Sequence, residues 1–226
     1  MRGVFVTGTG TEVGKTVVAA SLARTALEAG ERVAVFKPAV SGLDEEAEPD
    51  HALLRRAAGS PQSDDQIAPY RYGPPVSPHL AAELAGELID PDRLLAAAFA
   101  AAEGADLLVC EGVGGFLVPL RPGFLIRDLA RALALPVVIV ASPGLGTINH
   151  TLLTIEAVRD AGLELEGIAI TPWPERPSRM EDSNRETIGA LGGVPVWTVP
   201  KIDLARPERW PAFEIPALRA LVRAAD

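Results

Sequence analysis

Short apolar runs rich in valine and isoleucine alternate along the chain with longer stretches in which alanine and leucine recur at helical spacing. The apolar runs predict strands at residues 4–7, 32–36, 106–110, 137–141, 167–171 and 194–199. The amphipathic stretches predict helices at 15–28, 50–58, 78–85, 91–102, 126–134, 148–161, 180–191 and 215–224. A strand that is apolar on both faces belongs in a sheet covered on both sides. Regular alternation with helices implies right-handed βαβ crossovers. The expected fold is α/β, three layers (α/β/α) on a mainly parallel sheet, in one domain over residues 1–226. Two proline-rich stretches, 69–78 and 172–177, read as loops inside that domain.

Composition narrows the picture. The chain is 48% hydrophobic and 23% charged, so it is neither disordered nor fibrous. No apolar run approaches the roughly 20 residues of a membrane span. Met1-Arg2-Gly3-Val4-Phe5-Val6 leads straight into a strand, which reads as part of the fold rather than a cleavable signal, and the expected location is the cytoplasm. The formal net charge is −9 and no cluster of basic residues breaks it, which argues against a nucleic-acid partner. A nucleotide site on such a surface must be locally basic or built from backbone dipoles. Cys110 is the single cysteine, at the end of an apolar strand, and reads as a small core side chain. His51, His79 and His150 have no metal-ligand spacing and carry no chemistry in this reading.

The clearest chemistry follows the first strand. Gly8-Thr9-Gly10-Thr11-Glu12-Val13-Gly14-Lys15-Thr16 is a glycine-rich loop between a strand and a helix. Such a loop points N–H groups at phosphate oxygens. Lys15 supplies a point charge for the β- and γ-phosphates, and the Thr16 hydroxyl can join a Mg²⁺ shell. The spacing to Gly14-Lys15 is one residue longer than in the general phosphate-loop motif. The expectation is therefore a phosphate-loop NTPase-like domain.

Other candidates stand at strand ends, where open α/β sheets hold ligands. Lys37 opens Lys37-Pro38-Ala39-Val40-Ser41-Gly42 and can gather charge from a phosphate and a carboxylate together. Glu111 opens Glu111-Gly112-Val113-Gly114-Gly115, where a magnesium ligand beside a phosphate loop belongs. Asp50 stands at a helix start and reads as an N-cap that keeps one oxygen free. Leu145-Gly146-Thr147-Ile148-Asn149-His150 opens another helix, with two readings open: free amides for an anion, or a helix simply capped by Thr147.

With these pieces placed, the chain resembles dethiobiotin synthetases over nearly its whole length. The resemblance rests on the four motifs just given, in order, together with Pro69-Tyr70 followed by Ser77-Pro78-His79. The longer phosphate loop is that family's own form. The resemblance implies ATP-dependent carboxylation and ring closure of 7,8-diaminopelargonate with CO₂, through a carbamate and a carbamic-phosphoric anhydride, by a Mg²⁺-dependent homodimer with a shared active site. It makes Lys37, Lys15 and Thr11 the catalytic residues. It places Glu12, Val13, Gly14, Lys15, Thr16, Val17, Asp50, Glu111, Gly112, Val113 and Gly114 against the nucleotide. Thr16, Asp50 and Glu111 would hold Mg²⁺. Thr11, Lys37 and Ser41 would face the substrate's reacting end. Gly146, Thr147, Ile148 and Asn149 of the partner subunit would hold its distal carboxylate.

One departure stands out. The family commonly has an asparagine that reads adenine where this chain has Thr171-Pro172. A threonine hydroxyl lacks the amide's paired donor and acceptor. Pro200, Lys201 and Ile202 would form the other side of the base pocket. The alternative reading is a dimeric ATP-driven switch of the DNA-partition or metal-delivery class. Such switches usually carry a second lysine early in the loop, and residues 9–13 contain none.

Overall fold

The computed structural model describes residues 1–44, 48–206, 210 and 213; the helix expected at 215–224 lies outside them. Six strands form one parallel sheet: β1 (Gly3–Gly8), β2 (Val33–Phe36), β3 (Leu107–Glu111), β6 (Val137–Ala141), β7 (Leu165–Trp173) and β8 (Val196–Pro200). Their spatial order is β2-β3-β1-β6-β7-β8. The main helices are α1 (Lys15–Glu28), α2 (Asp50–Ala58), α4 (Pro78–Leu84), α5 (Pro91–Ala102), α6 (Ile126–Leu133), α7 (Thr147–Asp160) and α8 (Arg179–Gly192).

Alternation along β1 shows how the layers are divided. Val4 and Val6 pack into one core with Val18 and Leu22 of α1 and Leu53 and Leu54 of α2. Phe5 packs into the other with Leu94 of α5, Leu129 of α6, Ile155 of α7 and Ile188 of α8. Fully buried leucines such as Leu22, Leu54, Leu94 and Leu129 each contribute about 1.5–3 kcal/mol of transfer free energy. This is the three-layer parallel architecture read from the apolar pattern.

The differences are local. The pattern missed the short helix α3 (Asp64–Ile67) and the hairpin of β4 (Pro119–Arg121) and β5 (Phe124–Leu125). Both are too short for periodicity to register. α3 is fixed by a capping box between Ser63 and Gln66. The stretch 172–177, expected to be loop throughout, begins as strand, because β7 continues to Trp173. The β7–β8 ladder shifts register between Ile170 and Trp173, so Pro172 falls where a missing amide is tolerated.

β2 is an edge strand, and a side chain completes it. The Gln62 amide accepts from Val35 N at 2.8 Å and donates to Val35 O at 3.1 Å. Lys37 N then donates to Ile67 O at 2.8 Å. These bonds fix where β2 delivers Lys37.

Candidate active site

The order places β1 between β3 and β6, so the loops after β1, β2 and β3 gather at the carboxyl end of the sheet. The phosphate loop leaves β1 and turns into α1 at Gly14, whose φ of 92° is left-handed. A Cβ there would lie 2.5 Å from Thr171 Cγ2, so only glycine fits on both counts. Glu12 also adopts a left-handed φ, 59°, an uncommon conformation for a non-glycine residue at a ligand loop. The Lys15 ammonium donates to Gly10 O at 2.7 Å and bridges its own loop. Burial lowers Lys15 to about 8; Glu111 opposes that shift and the Lys37 charge adds to it.

Lys37, Asp50, Glu111 and Thr16 meet in one cluster. Lys37 Nζ lies 2.5 Å from Asp50 Oδ2 and donates to Glu111 Oε1 at 2.7 Å. Thr16 Oγ1 lies 2.8 Å from Asp50 Oδ1 and 2.9 Å from Glu111 Oε1. Lys37 is 3% exposed and Glu111 is 0% exposed. Burial opposes the charge on Lys37, but the Glu111 and Asp50 carboxylates outweigh it and hold the ammonium above the ordinary lysine range. Burial works against Asp50 too, but Lys37 outweighs it and Asp50 is lowered. Glu111, wholly buried, is raised.

This corrects the reading of Asp50 as an N-cap. Pro49 occupies the cap position and α2 starts at Asp50 itself, whose carboxylate is engaged by Thr16 and Lys37 instead. A solvated Lys37, the ordinary fate of a lysine after a strand, is likewise excluded.

The donor set fits a magnesium ion. Two carboxylates and a hydroxyl are hard oxygen ligands, and Mg²⁺ at NTP sites takes few protein ligands beside phosphates and water. Glu111 Oε2 is buried without a hydrogen-bond partner, an orphaned acceptor in the cluster. No group of three or more His, Cys, Asp or Glu side chains that could hold a metal ion gathers among the described residues, and this cluster offers two carboxylates with a hydroxyl.

An AAA-domain family model matches residues 2–209. Proteins named ATP-dependent dethiobiotin synthetase align along most of their length. The Rhodococcus erythropolis protein is 45% identical over 194 residues, 85% of each chain. The Anaeromyxobacter dehalogenans protein is 46% identical over 170 residues, 75% of this chain and 76% of that one. The Bacillus subtilis strain 168 protein is 38% identical over 204 residues, 89% and 88%. The chain belongs to the dethiobiotin synthetase family.

The other positions implied by the resemblance lie on the phosphate loop and α1, on the segments that leave β2 and β3, at the ends of β7 and β8, and at the start of α7. Gly112 N donates to Val6 O at 2.9 Å, which holds the loop carrying Val113 and Gly114 against β1. Ser41 lies on the segment leaving Lys37. That segment is pinned by the Val40–Arg71 bridge and by Gly42 N donating to Pro74 O at 3.0 Å. Thr11 borders a cleft of about 470 Å³ between the phosphate loop, the Gly115–Pro119 segment that leads into β4, and α7. Val17 is the half-buried third residue of α1. Thr171 is 2% exposed, with its methyl against Gly14. Ile202, like Val13, packs against the core that includes Val18 and Leu22 of α1, and Pro200 and Lys201 precede it at the end of β8.

Residues 146–149 form a separate place. Gly146, φ 91°, is the N-cap of α7, so Thr147 is the first helical residue and not the cap. Its hydroxyl is buried, 3.5 Å from that of Thr151. No hydrogen bond or ion pair among the described residues links this turn to Lys37, Asp50 or Glu111. The structure adds one residue that the motifs omitted. Asn184, in α8, is 7% exposed and donates to Pro143 O at 2.9 Å and Gly144 O at 3.3 Å, fixing the loop before α7. A lone asparagine in a helix pattern carries no signal of that role.

Proposed function

We propose that this chain is an ATP- and Mg²⁺-dependent dethiobiotin synthetase that works as a cytoplasmic homodimer in which each active site is shared. The substrates are 7,8-diaminopelargonate, CO₂ and ATP. The observation that carries the reading is Lys37, a buried ammonium delivered by β2 into the cluster that adjoins Lys15 and Thr16 of the phosphate loop. Binding nucleotide does not need that cation, whereas joining two anions does.

The chemistry runs in three steps. One amine of the diamine adds to CO₂ and loses a proton, giving a carbamate. The carbamate oxygen attacks the γ-phosphate and releases ADP, which leaves a carbamic-phosphoric anhydride. The second amine attacks the carbonyl carbon, expels phosphate and closes the ureido ring. The barrier lies in bringing an anionic carbamate to an anionic phosphate. Lys15 and Lys37 stabilise the charge that builds between them, and preorganised groups of this kind are worth about 10²–10³ in rate each. Thr16, Asp50 and Glu111 would hold Mg²⁺, which when bound neutralises phosphate charge. Thr11 and Ser41 orient the reacting end.

The distal carboxylate of the substrate suits the start of α7. The first-turn amides of a helix lack intrahelical acceptors and the helix dipole favours an anion there. Support for a dimer comes from Leu117 and Leu153, each more than half exposed on the cleft that Thr11 borders, and from Leu145 beside the α7 turn. Apolar side chains so placed are suited to burial by a second copy.

The test is ATP turnover with and without 7,8-diaminopelargonate and bicarbonate, with dethiobiotin followed by mass spectrometry. Strict dependence on both supports the ligase. Steady ATP hydrolysis without the diamine, and no dethiobiotin, would leave the switch ATPase in its place.

A further inference from the structure

We propose that the Lys37 ammonium and the divalent cation share one oxygen cage, so that arrival of the metal releases Lys37 toward the reacting groups. The inference rests on the reading that Thr16, Asp50 and Glu111 hold Mg²⁺. It concerns what Lys37 does before the metal comes.

Three side chains converge oxygen on one point. Thr16 Oγ1 is within 2.8 Å of Asp50 Oδ1 and 2.9 Å of Glu111 Oε1. A hydroxyl has one proton. It can donate to one of the two carboxylates at a time, which leaves the other contact oxygen against oxygen. Such a cluster needs a cation. Lys37 is that cation, with Nζ at 2.5 Å from Asp50 and 2.7 Å from Glu111. Lys15 makes no ion pair with either carboxylate, since its ammonium is turned to Gly10 O, and it acts on them only from a greater distance. Glu111 is fully buried, so without Lys37 its charge would have no directly bonded cation and only the more distant Lys15 to offset it.

A magnesium ion requires the same oxygens at about 2.0–2.1 Å. Two cations cannot both sit on them, because charges a few ångströms apart in a buried site repel strongly. The lysine is tethered and the ion is not. Lys37 therefore offsets one of the two carboxylate charges and holds the oxygens converged, and the ion displaces the ammonium when it binds. The flexible four-carbon stem allows the head to swing without moving the backbone. Charge stabilisation by Lys37 becomes available only after the metal has arrived, which sets an order on assembly of the site.

The sequence makes this testable in the unaltered protein, because Lys15, Lys37 and Lys201 are its only lysines. Lysine labelled at the ε-carbon gives three resolvable NMR signals, assigned with Lys15→Met and Lys37→Met. Titration with Mg²⁺ alone should move the Lys37 signal saturably and leave Lys201 still. In parallel, Mn²⁺ affinity without nucleotide, read by electron paramagnetic resonance, should rise roughly tenfold or more in Lys37→Met, and clearly less in Lys15→Met, which removes a charge outside the cage. A Lys37 signal that stays put while Mn²⁺ binds overturns the proposal and leaves the metal reading standing. Equal gains in the two variants also overturn it, since they mean general electrostatics. Absence of Mn²⁺ binding in wild type and variants alike, including with ADP present, overturns the metal reading and the proposal together.

Discussion

Lys37 and Glu111, 74 residues apart in sequence, meet over 2.7 Å inside the protein, where the lysine from β2 neutralises the carboxylate that ends β3. A buried pair of this kind is weak evidence for stability, because desolvation offsets most of the attraction. Its position beside the phosphate loop points to chemistry. Lys37→Ala is expected to keep the fold and nucleotide binding and to lower turnover by at least about 10²–10³. Steady-state kinetics at saturating substrates checks this. Turnover within tenfold of wild type would remove Lys37 from the centre of the mechanism.

Glu111→Gln keeps the shape of the side chain and removes its charge. The expected outcome is a higher Mg²⁺ requirement together with a rate loss of roughly 10² or more, since a hard cation loses one of its two protein carboxylates. The check is the rate as a function of free Mg²⁺. An unchanged curve would reduce Glu111 to a structural counter-ion for Lys37.

A shared site can be tested by mixing inactive parents. Lys37→Ala removes the reacting-end cation. Gly146→Val strains the α7 N-cap, whose φ of 91° disfavours a β-branched residue. If the carboxylate turn is supplied in trans, each mixed dimer carries one doubly defective site and one intact site. Activity should return to about half per mixed dimer, by simple counting of sites in a two-fold assembly. No return despite demonstrated subunit exchange would place the turn and Lys37 of one chain in the same site.

Thr171 is held with its methyl against Gly14 and cannot act as an amide fork. Pro172 offers no N–H beside it. The expected outcome is weak discrimination among nucleotides, with kcat/KM for ATP within roughly 10³-fold of that for CTP, GTP and UTP. Measurement of all four under one condition decides it. A larger preference for ATP would mean that polar groups around Pro200, Lys201 and Ile202 read the base.

Away from the site, Arg32 and Asp106 join the starts of β2 and β3. The guanidinium donates at 2.9 and 2.7 Å and the Arg32 amide at 2.9 Å. The Arg32 hydrogen bonds hold the Asp106 carboxyl well below its ordinary 3.8. A depressed carboxyl stabilises the fold above its unfolded value, and that contribution is lost as pH falls below it. The pair is exposed, so the effect is small. The difference in Tm between wild type and Asp106→Asn should be flat from about pH 8 to pH 5 and narrow toward pH 2–3. A difference that holds or widens in acid would rule out this linkage.

Local pattern alone determined the parallel sheet, the long helices and the phosphate loop. Each is set by the alternation of Val4, Phe5 and Val6, by the helical spacing after Lys15, or by the closely spaced Gly8, Gly10 and Gly14. The chemistry of Lys37, Asp50 and Glu111 was legible only as residue types at strand and helix ends, and the motif resemblance ordered them. Which partner each would take was not, because Thr16 and Glu111 are 95 residues apart and meet only once β1 and β3 pair. Asp50 shows the limit well. At a helix start its local preference is to cap, and the tertiary field of a buried lysine overrode that preference. Asn184 was invisible for the same reason. A side chain that holds a loop 41 residues away takes its role from the packing of α8 beside that loop, and no pattern along the chain encodes it.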